Sequence, residues 1–381
     1  MACALERLRM LNSTGFIGVL VLVGIGCGTG NVSRESVGSM QMYVHQGETQ
    51  GTTYTIKYHG DAEISQAAID SVLDAVDQEF NLWLPQSRIN QINGFDSVDS
   101  LFEFDDEHQL WSVIWARSLD LYEASHGAFD PTVQPLVELW GFGLQQADAV
   151  TEDAVKAILP HVGMTTDRID LIEEEVNFEY IRSFIRKGDA RVGLDFNSIA
   201  QGLTVDLLAD LLERSGNTNF MVEIGGEVKC GGVRLDGGSW RIAIDQPVEG
   251  SGTESDRPMA AIVNVHNAAI CTSGNYRKFY EMDGIKRSHT ISPFTGYPVQ
   301  HGLLSATIHA VDATTADALA TACMVWGPIE GRNFIENYRS ENPFEKVEAY
   351  FIMSTDQGTM ASWESEGWKA LKASDSPALS H

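Results

Sequence analysis

The sequence predicts an α+β fold with mixed, largely antiparallel sheets, because helical stretches accompany strand-like pieces that carry a hairpin-turn signal. Between Leu194 and Gly232, apolar residues recur at helical spacing and lead into an apolar run that ends at Gly225-Gly226. Further on, Met282-Asp283-Gly284 has the residue types of a hairpin turn, which joins antiparallel strands.

Length and charge limit the class of protein. The 381 residues suffice for one large domain or two ordinary ones, and the hydrophobic fraction of 43% is typical of a globular chain. A formal net charge of -27 argues against nucleic acid or an anionic membrane surface as the main partner. The charge fits a soluble protein of an outer compartment or a site that uses cations, and a generally acidic proteome explains it equally well.

The first 39 residues have the pattern of an export segment. Two arginines precede an apolar run from Phe16 to Ile25, which is too short for a comfortable membrane span. Residues 1–26 are therefore predicted to be a signal peptide. The cysteine that follows resembles a bacterial lipoprotein signal, in which Cys27 is lipidated. Residues 27–39, rich in glycine and serine, are predicted to be a flexible tether. We expect export and anchoring through Cys27 on the periplasmic side of the bacterial inner membrane.

The first half of the mature chain opens with β-rich pieces on both sides of Gly51-Thr52 and continues with helices. Residues 147–192 are interpreted as peripheral. The predicted elements are β-rich Met40 to Tyr58, a helix from about Ile64 to Phe80, a loop from Leu82 to Asn93, a helix from about Asp106 to Ser125 and a helix near Thr151 to Leu159.

The block from Gly127 to Gly143, GAFDPTVQPLVELWGFG, is unusually apolar for a loop. It surrounds Asp130 with two prolines, Trp140 and other bulky apolar residues. A loop with this much apolar surface needs a reason to carry it. Stacking against a planar ligand and filling a core are equally good explanations.

The stretch from Leu194 to Gly232 has the layout of a phosphate site: strand, polar turn, helix, strand and double glycine. Asn197-Ser198 is predicted to cap a helix that starts near Ile199 and ends at Gly216. Unpaired N–H groups and the helix dipole favour an anion at such a start. Because Asp195 would repel a bare phosphate, a metal ion or a base N–H group should also be present. An ordinary βαβ packing unit is the alternative.

The last third of the chain adds strands and one further helix. Trp240 to Asp245 and Thr307 to Val311 are strand-like, and a helix is predicted from Thr314 to Val325. Met259 to Asn267 and Ala268 to Ser273 are interpreted as strands or turns. On that helix Asp317 and Thr321 share a face, which alone would indicate a solvated surface. The three cysteines of the mature body, without CxxC or histidine spacing, are interpreted as buried thiols.

Five short blocks stand in a fixed order between about Gly51 and Gly327. They are the early glycine-threonine turn, GAFDPTV…WGFG, LDFNSIAQG…GG, TSGNYR…HTISPFTGYPV and ADALATACMVWG. Together, behind an export signal, they resemble the ApbE family, the FAD:protein FMN transferases. The resemblance implies one transferase domain over residues 40–381, with two lobes around a flavin-binding cleft. Neither a Walker loop nor a Rossmann glycine fingerprint competes with it.

The resemblance also implies a Mg²⁺ site. Asp317 and Thr321 match the family's metal ligands, and Ser198 would supply a further oxygen near the pyrophosphate. Hard oxygen ligands suit Mg²⁺, which also keeps waters and takes phosphate oxygens. Many relatives carry a second carboxylate where Ala320 stands, so the protein contributes fewer ligands here.

The implied FAD contacts are spread over the blocks. They are Gln50, Trp83, Ala128, Phe129, Asp130, Asp195, Gln201 and Ile291. Trp83 and Phe129 are expected to lie against the ligand rings, and the two aspartates to accept hydrogen bonds from base or ribose. Gln201 and Ser292 depart from the residues usual in relatives.

The implied reaction is phosphoryl transfer from FAD, the substrate, to a client protein. A threonine or serine hydroxyl of an exported client attacks the FMN-side phosphorus, and AMP leaves. His289 is the candidate general base, since its ordinary pKa suits neutral pH. The alternatives are an exported flavin-binding lipoprotein without catalysis and an FAD pyrophosphatase, in which water replaces the client hydroxyl.

Overall fold

The computed structural model describes residues 31–37, 40–106, 108–143, 150–177, 180–247, 258–275, 279–282, 285–377 and 379. Its helices and largely antiparallel sheets confirm the predicted α+β class. The predicted signal peptide and Cys27 lie outside the described residues. Within these ranges, no helix combines the length and the apolar composition that crossing a membrane requires.

Sixteen strands form four sheets in the described parts of the chain. The strands are β1 Asn31–Val37, β2 Met40–Thr49, β3 Thr52–His59, β4 Phe102–Asp105, β5 Ile169–Asn177, β6 Tyr180–Lys187, β7 Asn219–Ile224, β8 Glu227–Gly231, β9 Trp240–Asp245, β10 Met259–Val265, β11 Ala268–Gly274, β12 Phe279–Met282, β13 Ile285–Ser288, β14 Leu303–Ala310, β15 Glu348–Ser354 and β16 Met360–Glu364.

Eight α-helices accompany them in the same residues. The helices are α1 Gln66–Phe80, α2 Arg88–Asn93, α3 Leu110–Ala124, α4 Gln134–Leu139, α5 Glu152–Ile158, α6 Ala200–Arg214, α7 Ala313–Glu341 and α8 Trp368–Leu371. Helix α7 is two helices in sequence, because Gly327 has non-helical dihedral angles (φ 79°, ψ -173°) and Pro328 follows it.

A nine-stranded sheet in the order β1-β2-β3-β7-β8-β11-β14-β15-β16 is the centre of the fold, and each of its pairings is antiparallel. Alternate residues of a strand point to opposite faces. On β11, Ala269 and Cys271 accordingly join the core beneath α6 and α7, whereas Ala268 and Ile270 join a second cluster with β9, β10 and Trp368. Both faces of the sheet are therefore covered.

A separate three-stranded sheet has the order β4-β6-β5. Its buried residues Phe104, Ile169 and Ile185 belong to the main core. The short helices α4 and α5 share a third apolar cluster with the segment after His289, made of Leu136, Trp140, Val155, Val162 and Ile291. Residues 147–192, interpreted from the sequence as peripheral, supply β5, β6 and α5.

Three local predictions differ from the structure. Asn31–Val37, within the predicted tether, pairs with β2 and satisfies backbone groups that would otherwise form a sheet edge. Arg88–Asn93, predicted as loop, is a helix capped by the hydroxyl of Ser87. The predicted strand at Leu194 is wrong, because its backbone N–H and C=O bond to the side-chain amide of Asn93 instead of a neighbouring strand.

The predicted hairpin near residue 283 is confirmed at the level of its strands. Phe279–Met282 and Ile285–Ser288 pair antiparallel, from Phe279 opposite Ser288 to Met282 opposite Ile285. The two turn residues, Asp283 and Gly284, lie outside the described residues.

Candidate active site

The early glycine-threonine block is a two-residue hairpin between β2 and β3. Gln50 (φ 50°) and Gly51 (φ 72°) both have left-handed backbones, as a type I′ turn requires. The turn places the Gln50 side chain on helix α6, where its Nε2 donates to Thr204 Oγ1 at 2.7 Å. Its Oε1 is buried and has no hydrogen-bond partner among the described residues, so a ligand donor could satisfy it.

Helix α6 does not begin as the sequence predicts. The residue before its first turn is Ile199, which offers no side-chain cap, so the predicted Asn197-Ser198 cap is wrong. Asn197 instead donates its backbone N–H to Asp195 Oδ1 at 2.8 Å, which makes 195–197 a local turn. Ser198 is half-buried in the residues leading to the helix.

The carboxylate that caps α6 comes from another helix. Gly202 N–H donates to Asp317 Oδ2 at 3.1 Å, which satisfies one of the early amides of α6. Asp317 is 5% exposed, and this desolvation raises its pKa to about 7, with a further increase from the nearby Asp206. The position of Asp317 beside the helix start confirms that it does not belong to a solvated face.

Thr321 lies one turn after Asp317 on α7 and contacts a residue that the sequence analysis missed. Its Oγ1 is 3.2 Å from Ser273 Oγ at the end of β11. Ser273 stands in the TSGNYR block, so the block pointed to this region without singling out the serine. One carboxylate and two hydroxyls therefore surround this position.

These donors fit Mg²⁺ better than a metal that needs several charged ligands. In the described chain, no three or more histidine, cysteine, aspartate or glutamate side chains form a metal-binding group. Mg²⁺ commonly takes one or two carboxylates and completes its shell with waters and phosphate oxygens. Asp317 and Thr321 are the residues that could hold it, and Ala320, which is fully buried, adds no ligand.

Asp130 and Asp195 are brought together by the backbone. Asp195 N–H donates to Pro131 O at 2.7 Å, directly after Asp130. Asp130 Oδ1 accepts bonds from the N–H and the hydroxyl of Thr132, at 2.8 and 2.6 Å. Burial raises the pKa of each of the two aspartates to about 6, so both are mainly ionised at neutral pH. Two desolvated acceptors thus lie on segments that a backbone hydrogen bond joins.

The apolar block 127–143 mainly fills a core. Phe129 is 1% exposed and its ring packs in the main core. Ala128 is also buried. Trp140 donates its Nε1–H to Gly296 O at 2.7 Å and packs near Ile291, so the block supports the turn after His289.

Trp83 is the exposed aromatic among the predicted flavin contacts, with 57% of its surface accessible. Asn90 holds the Trp83 loop by donating to the carbonyls of Leu82 and Leu84, at 2.8 and 2.9 Å. Asn93, at the end of the same short helix, bonds to Leu194 just before Asp195. Trp83 and Asp195 are therefore on connected segments.

His289 is half-buried and directly follows β13. Its neighbour Thr290 donates its hydroxyl to Asn275 Oδ1 at 2.9 Å, which ties this segment to the end of β11 near Ser273. The following turn is closed by Ser292 N–H to Tyr297 O at 2.9 Å, so serine at 292 does not open it. Gln201 lies beside Gly225, since its Nε2 is 3.1 Å from where a Cβ on that glycine would be.

Comparison with known proteins agrees with this geometry. A model of the ApbE family matches residues 50–349. The chain is 31% identical to the FAD:protein FMN transferase of Haemophilus influenzae over 318 residues, which is 82% of this chain and 86% of the relative. It is 32% identical to the protein of the same name from Vibrio cholerae over 320 residues, 82% of this chain and 87% of the relative.

Comparison with solved structures points to the same family. The flavin transferase ApbE from Vibrio cholerae superposes with a TM-score of 0.70 at 29% identity, covering 87% of this chain and 99% of that one. The apo form of the Pseudomonas stutzeri flavinyl transferase ApbE also gives 0.70, at 28% identity, covering 90% of this chain and 97% of that one. This chain therefore belongs to the ApbE family.

Proposed function

We propose that this chain is an FAD:protein FMN transferase that moves FMN from FAD to a threonine or serine hydroxyl of an exported client, with Mg²⁺ as cofactor. The observation that carries the proposal is the Asp317 carboxylate at the start of α6, 3.1 Å from Gly202 N and one turn before Thr321. Relatives of that name, at 31% and 32% identity, support the reaction class.

FAD would be held by its nucleoside and by its diphosphate. Asp130 and Asp195 can each accept a bond from base or ribose donors, and the exposed ring of Trp83 can cover a planar ring. The amino end of α6 favours the negative diphosphate, provided that the charge of Asp317 is offset. The unsatisfied Gln50 Oε1 can accept one further donor from the ligand.

Bound Mg²⁺ would supply the counter-charge for the diphosphate and for the charge that develops during transfer. Asp317 and Thr321 would hold the ion, and Ser198 would offer another oxygen. A hydroxyl that ligates a metal through a lone pair must direct its proton elsewhere. Ser273 Oγ, 3.2 Å from Thr321 Oγ1, can accept that proton and so orient Thr321.

The transfer replaces a phosphoanhydride bond of FAD by a phosphoester bond to the client. The client oxygen forms a bond to the FMN-side phosphorus, and the bond from that phosphorus to the bridging oxygen breaks, so that AMP leaves with the bridging oxygen. His289 accepts the proton of the attacking hydroxyl. If water attacks instead, the products are free FMN and AMP.

The activity is tested by incubating the protein with FAD, Mg²⁺ and a candidate client from the same source. The proposal predicts AMP release that requires the client, together with flavin fluorescence on the client in a denaturing gel. AMP release without a client indicates a pyrophosphatase. Flavin binding with neither AMP release nor labelling of any client indicates a carrier.

For location, we propose export and lipid attachment through Cys27, which the N-terminal sequence supports. The wild type is expected in the membrane fraction, and Cys27→Ser is expected to be soluble or unprocessed. Identical fractionation of the two, with cleavage at another site, would leave only a secretory signal.

A further inference from the structure

A second carboxylate joins the same two helices one turn away from Asp317. Asp206 of α6 accepts the N–H groups of Ala313 and Thr314 at the start of α7, at 3.0 and 2.9 Å. Its Oδ2 also accepts the Thr314 hydroxyl at 2.6 Å. Lys229 of β8 donates to Asp206 Oδ1 at 2.8 Å, which anchors the carboxylate to the central sheet.

Each of the two carboxylates belongs to one helix and caps the start of the other. Asp317 of α7 caps an amide at the start of α6, and Asp206 of α6 caps two amides at the start of α7. A step of four residues along α6, from Gly202 to Asp206, corresponds to a step of four residues back along α7, from Asp317 to Ala313. The helices are therefore antiparallel here, and the Asp206 contacts fix how far one has slid along the other.

Helices α6 and α7 are in close contact, so the position of one along the other is sensitive to small changes in packing. A Cβ on Gly202 would overlap Ala313 O and lie 2.9 Å from Asp317 Cβ, so the helices meet with no space for a methyl group. A small slide of α7 would move Asp317 away from Gly202 N–H. Neither the sheet contacts of α7 nor the cap by Asp312 at its own N-terminus bonds directly to α6.

We propose that Asp206, held by Lys229, is a positioning residue that sets α7 against α6 and thereby places the Asp317 carboxylate for the cation. This inference rests on the proposed function, because it concerns the metal that function requires. Asp206 itself does not touch the substrate. Its effect on the reaction is through the place and direction of Asp317.

A purely electrostatic role for the pair predicts the opposite result when Lys229 is replaced. Removing the ammonium group leaves more negative charge near the site, which would attract a divalent cation more strongly. In a positioning role, loss of Lys229 leaves Asp206 as a buried carboxylate without its counter-charge. The carboxylate then takes up a proton or turns towards water, and α7 loses its caps.

The chain offers a matched control at the far end of α7. Glu348 accepts a bond from Arg339 Nη2 at 2.8 Å and caps Gly367 N at 3.1 Å. The exposures of the two pairs are nearly equal, 20% and 17% for Arg339 and Glu348 against 17% and 16% for Lys229 and Asp206. Glu348→Gln therefore perturbs a similar buried pair without touching the start of α6.

The experiment measures Mn²⁺ binding to the full protein in the presence of FAD, by the electron paramagnetic resonance signal of free Mn²⁺, with unfolding temperatures measured in parallel. We expect Lys229→Met and Asp206→Asn each to weaken Mn²⁺ binding about tenfold or more, as for lost bonds to a charged group. Glu348→Gln should lower the unfolding temperature but leave Mn²⁺ affinity within about twofold. Thr314→Val, which removes one hydroxyl, should weaken binding less and is informative even if Asp206→Asn fails to fold.

Three results are decisive. Mn²⁺ binding that is unchanged or tighter in Lys229→Met and unchanged in Thr314→Val overturns the positioning role and leaves the transferase proposal intact. Equal loss in Glu348→Gln also overturns it, since general destabilisation would then explain the effect. A wild type that binds no Mn²⁺ overturns this inference together with the metal assignment, whereas client labelling remains a separate test of transfer.

Discussion

The backbone amide of Gly202 donates a hydrogen bond to the Asp317 carboxylate, with 3.1 Å between N and Oδ2. This single bond joins the start of α6 to a side chain of α7, although 115 residues separate the two along the sequence. The Asp317 carboxylate therefore caps one amide of the helix start that the sequence analysis assigned to an anion site. Asp317 would also hold the cation that offsets the charge of the diphosphate.

Gly202→Ala should disturb the site through packing alone. The added methyl group would overlap Ala313 O and approach Asp317 Cβ to 2.9 Å, so α7 must shift. We expect a loss of about 1–3 kcal/mol in the free energy of unfolding and weaker Mn²⁺ binding. Gly331→Ala is the control, since its methyl group meets nothing closer than 3.3 Å. Normal Mn²⁺ affinity in Gly202→Ala would show that the close approach is unimportant.

Ser273→Ala should act through Thr321. Without the serine oxygen, the Thr321 hydroxyl loses the partner that directs its proton, and we expect Mn²⁺ binding to weaken by about three- to tenfold. Adding Thr321→Val should then cost little more, because the two residues act as one unit. Thr272→Val removes a neighbouring bond, Thr272 to Thr307 at 2.8 Å, and should leave affinity unchanged. Additive losses from Ser273 and Thr321 would argue against the coupling.

FAD binding should weaken in acid. The pKa values of Asp130 and Asp195 are raised to about 6 by burial, and the ionised carboxylates are the stronger acceptors for ligand donors. FAD affinity should therefore be constant above about pH 7 and fall as the pH drops through 6, by up to about tenfold per unit for each group. The FAD affinity of the Asp130→Asn variant should depend less steeply on pH. An affinity that is flat from pH 7 to 5 would contradict the assignment of these acceptors.

Asp130 and Asp195 also make the stability of the ligand-free protein depend on pH, and this dependence has the opposite sign. Their folded pKa values lie above the ordinary value of 3.8, so the folded state binds more protons than the unfolded state between about pH 4 and 6. Their contribution to stability is therefore fully present below pH 4 and is lost as the pH rises through 6. Asp130→Asn should remove part of this slope in denaturant titrations made without FAD.

His289→Ala should lower the rate of transfer rather than the affinity for FAD. A general base contributes about 10²–10⁴-fold in rate, and hydroxide should restore part of the loss at higher pH. The wild type should lose rate in acid as the imidazole is protonated, and the variant should lack this limb. If His289 instead donates a bond to a phosphate oxygen, the wild-type rate would fall as the pH rises. An unchanged saturating rate with weaker FAD binding would make His289 a binding residue.

Local patterns predicted those parts of the fold that depend on neighbours in sequence. The helical spacing from Ile199 to Leu211 and the Asp317–Thr321 face are properties of single helices, and both are present in the structure. Helix α7 was predicted to end at Val325. The backbone does break at Gly327, yet a second helical segment continues to Glu341.

The parts that sequence reasoning missed depend on distant contacts. Leu194 lies in a short apolar run that is typical of a strand. Its backbone N–H nevertheless bonds to the side-chain amide of Asn93, 101 residues away. Asp206 was not singled out from the sequence, because this residue caps the start of α7 only where α7 packs against α6. The apolar composition of the block around Phe129 left ligand stacking and core filling open, and only the packing of the main core shows that this ring fills the core.

The most direct test of the central claim compares Asp317→Ala with the wild type. With FAD, excess Mg²⁺ and a client, AMP release and fluorescent labelling of the client are measured together. We expect both to fall by about 10²-fold or more in the variant, because the carboxylate that would hold the cation is gone. Some FAD should still bind through Trp83, Asp130 and Asp195. Full AMP release and labelling by Asp317→Ala would contradict the metal-assisted transfer proposed for this site.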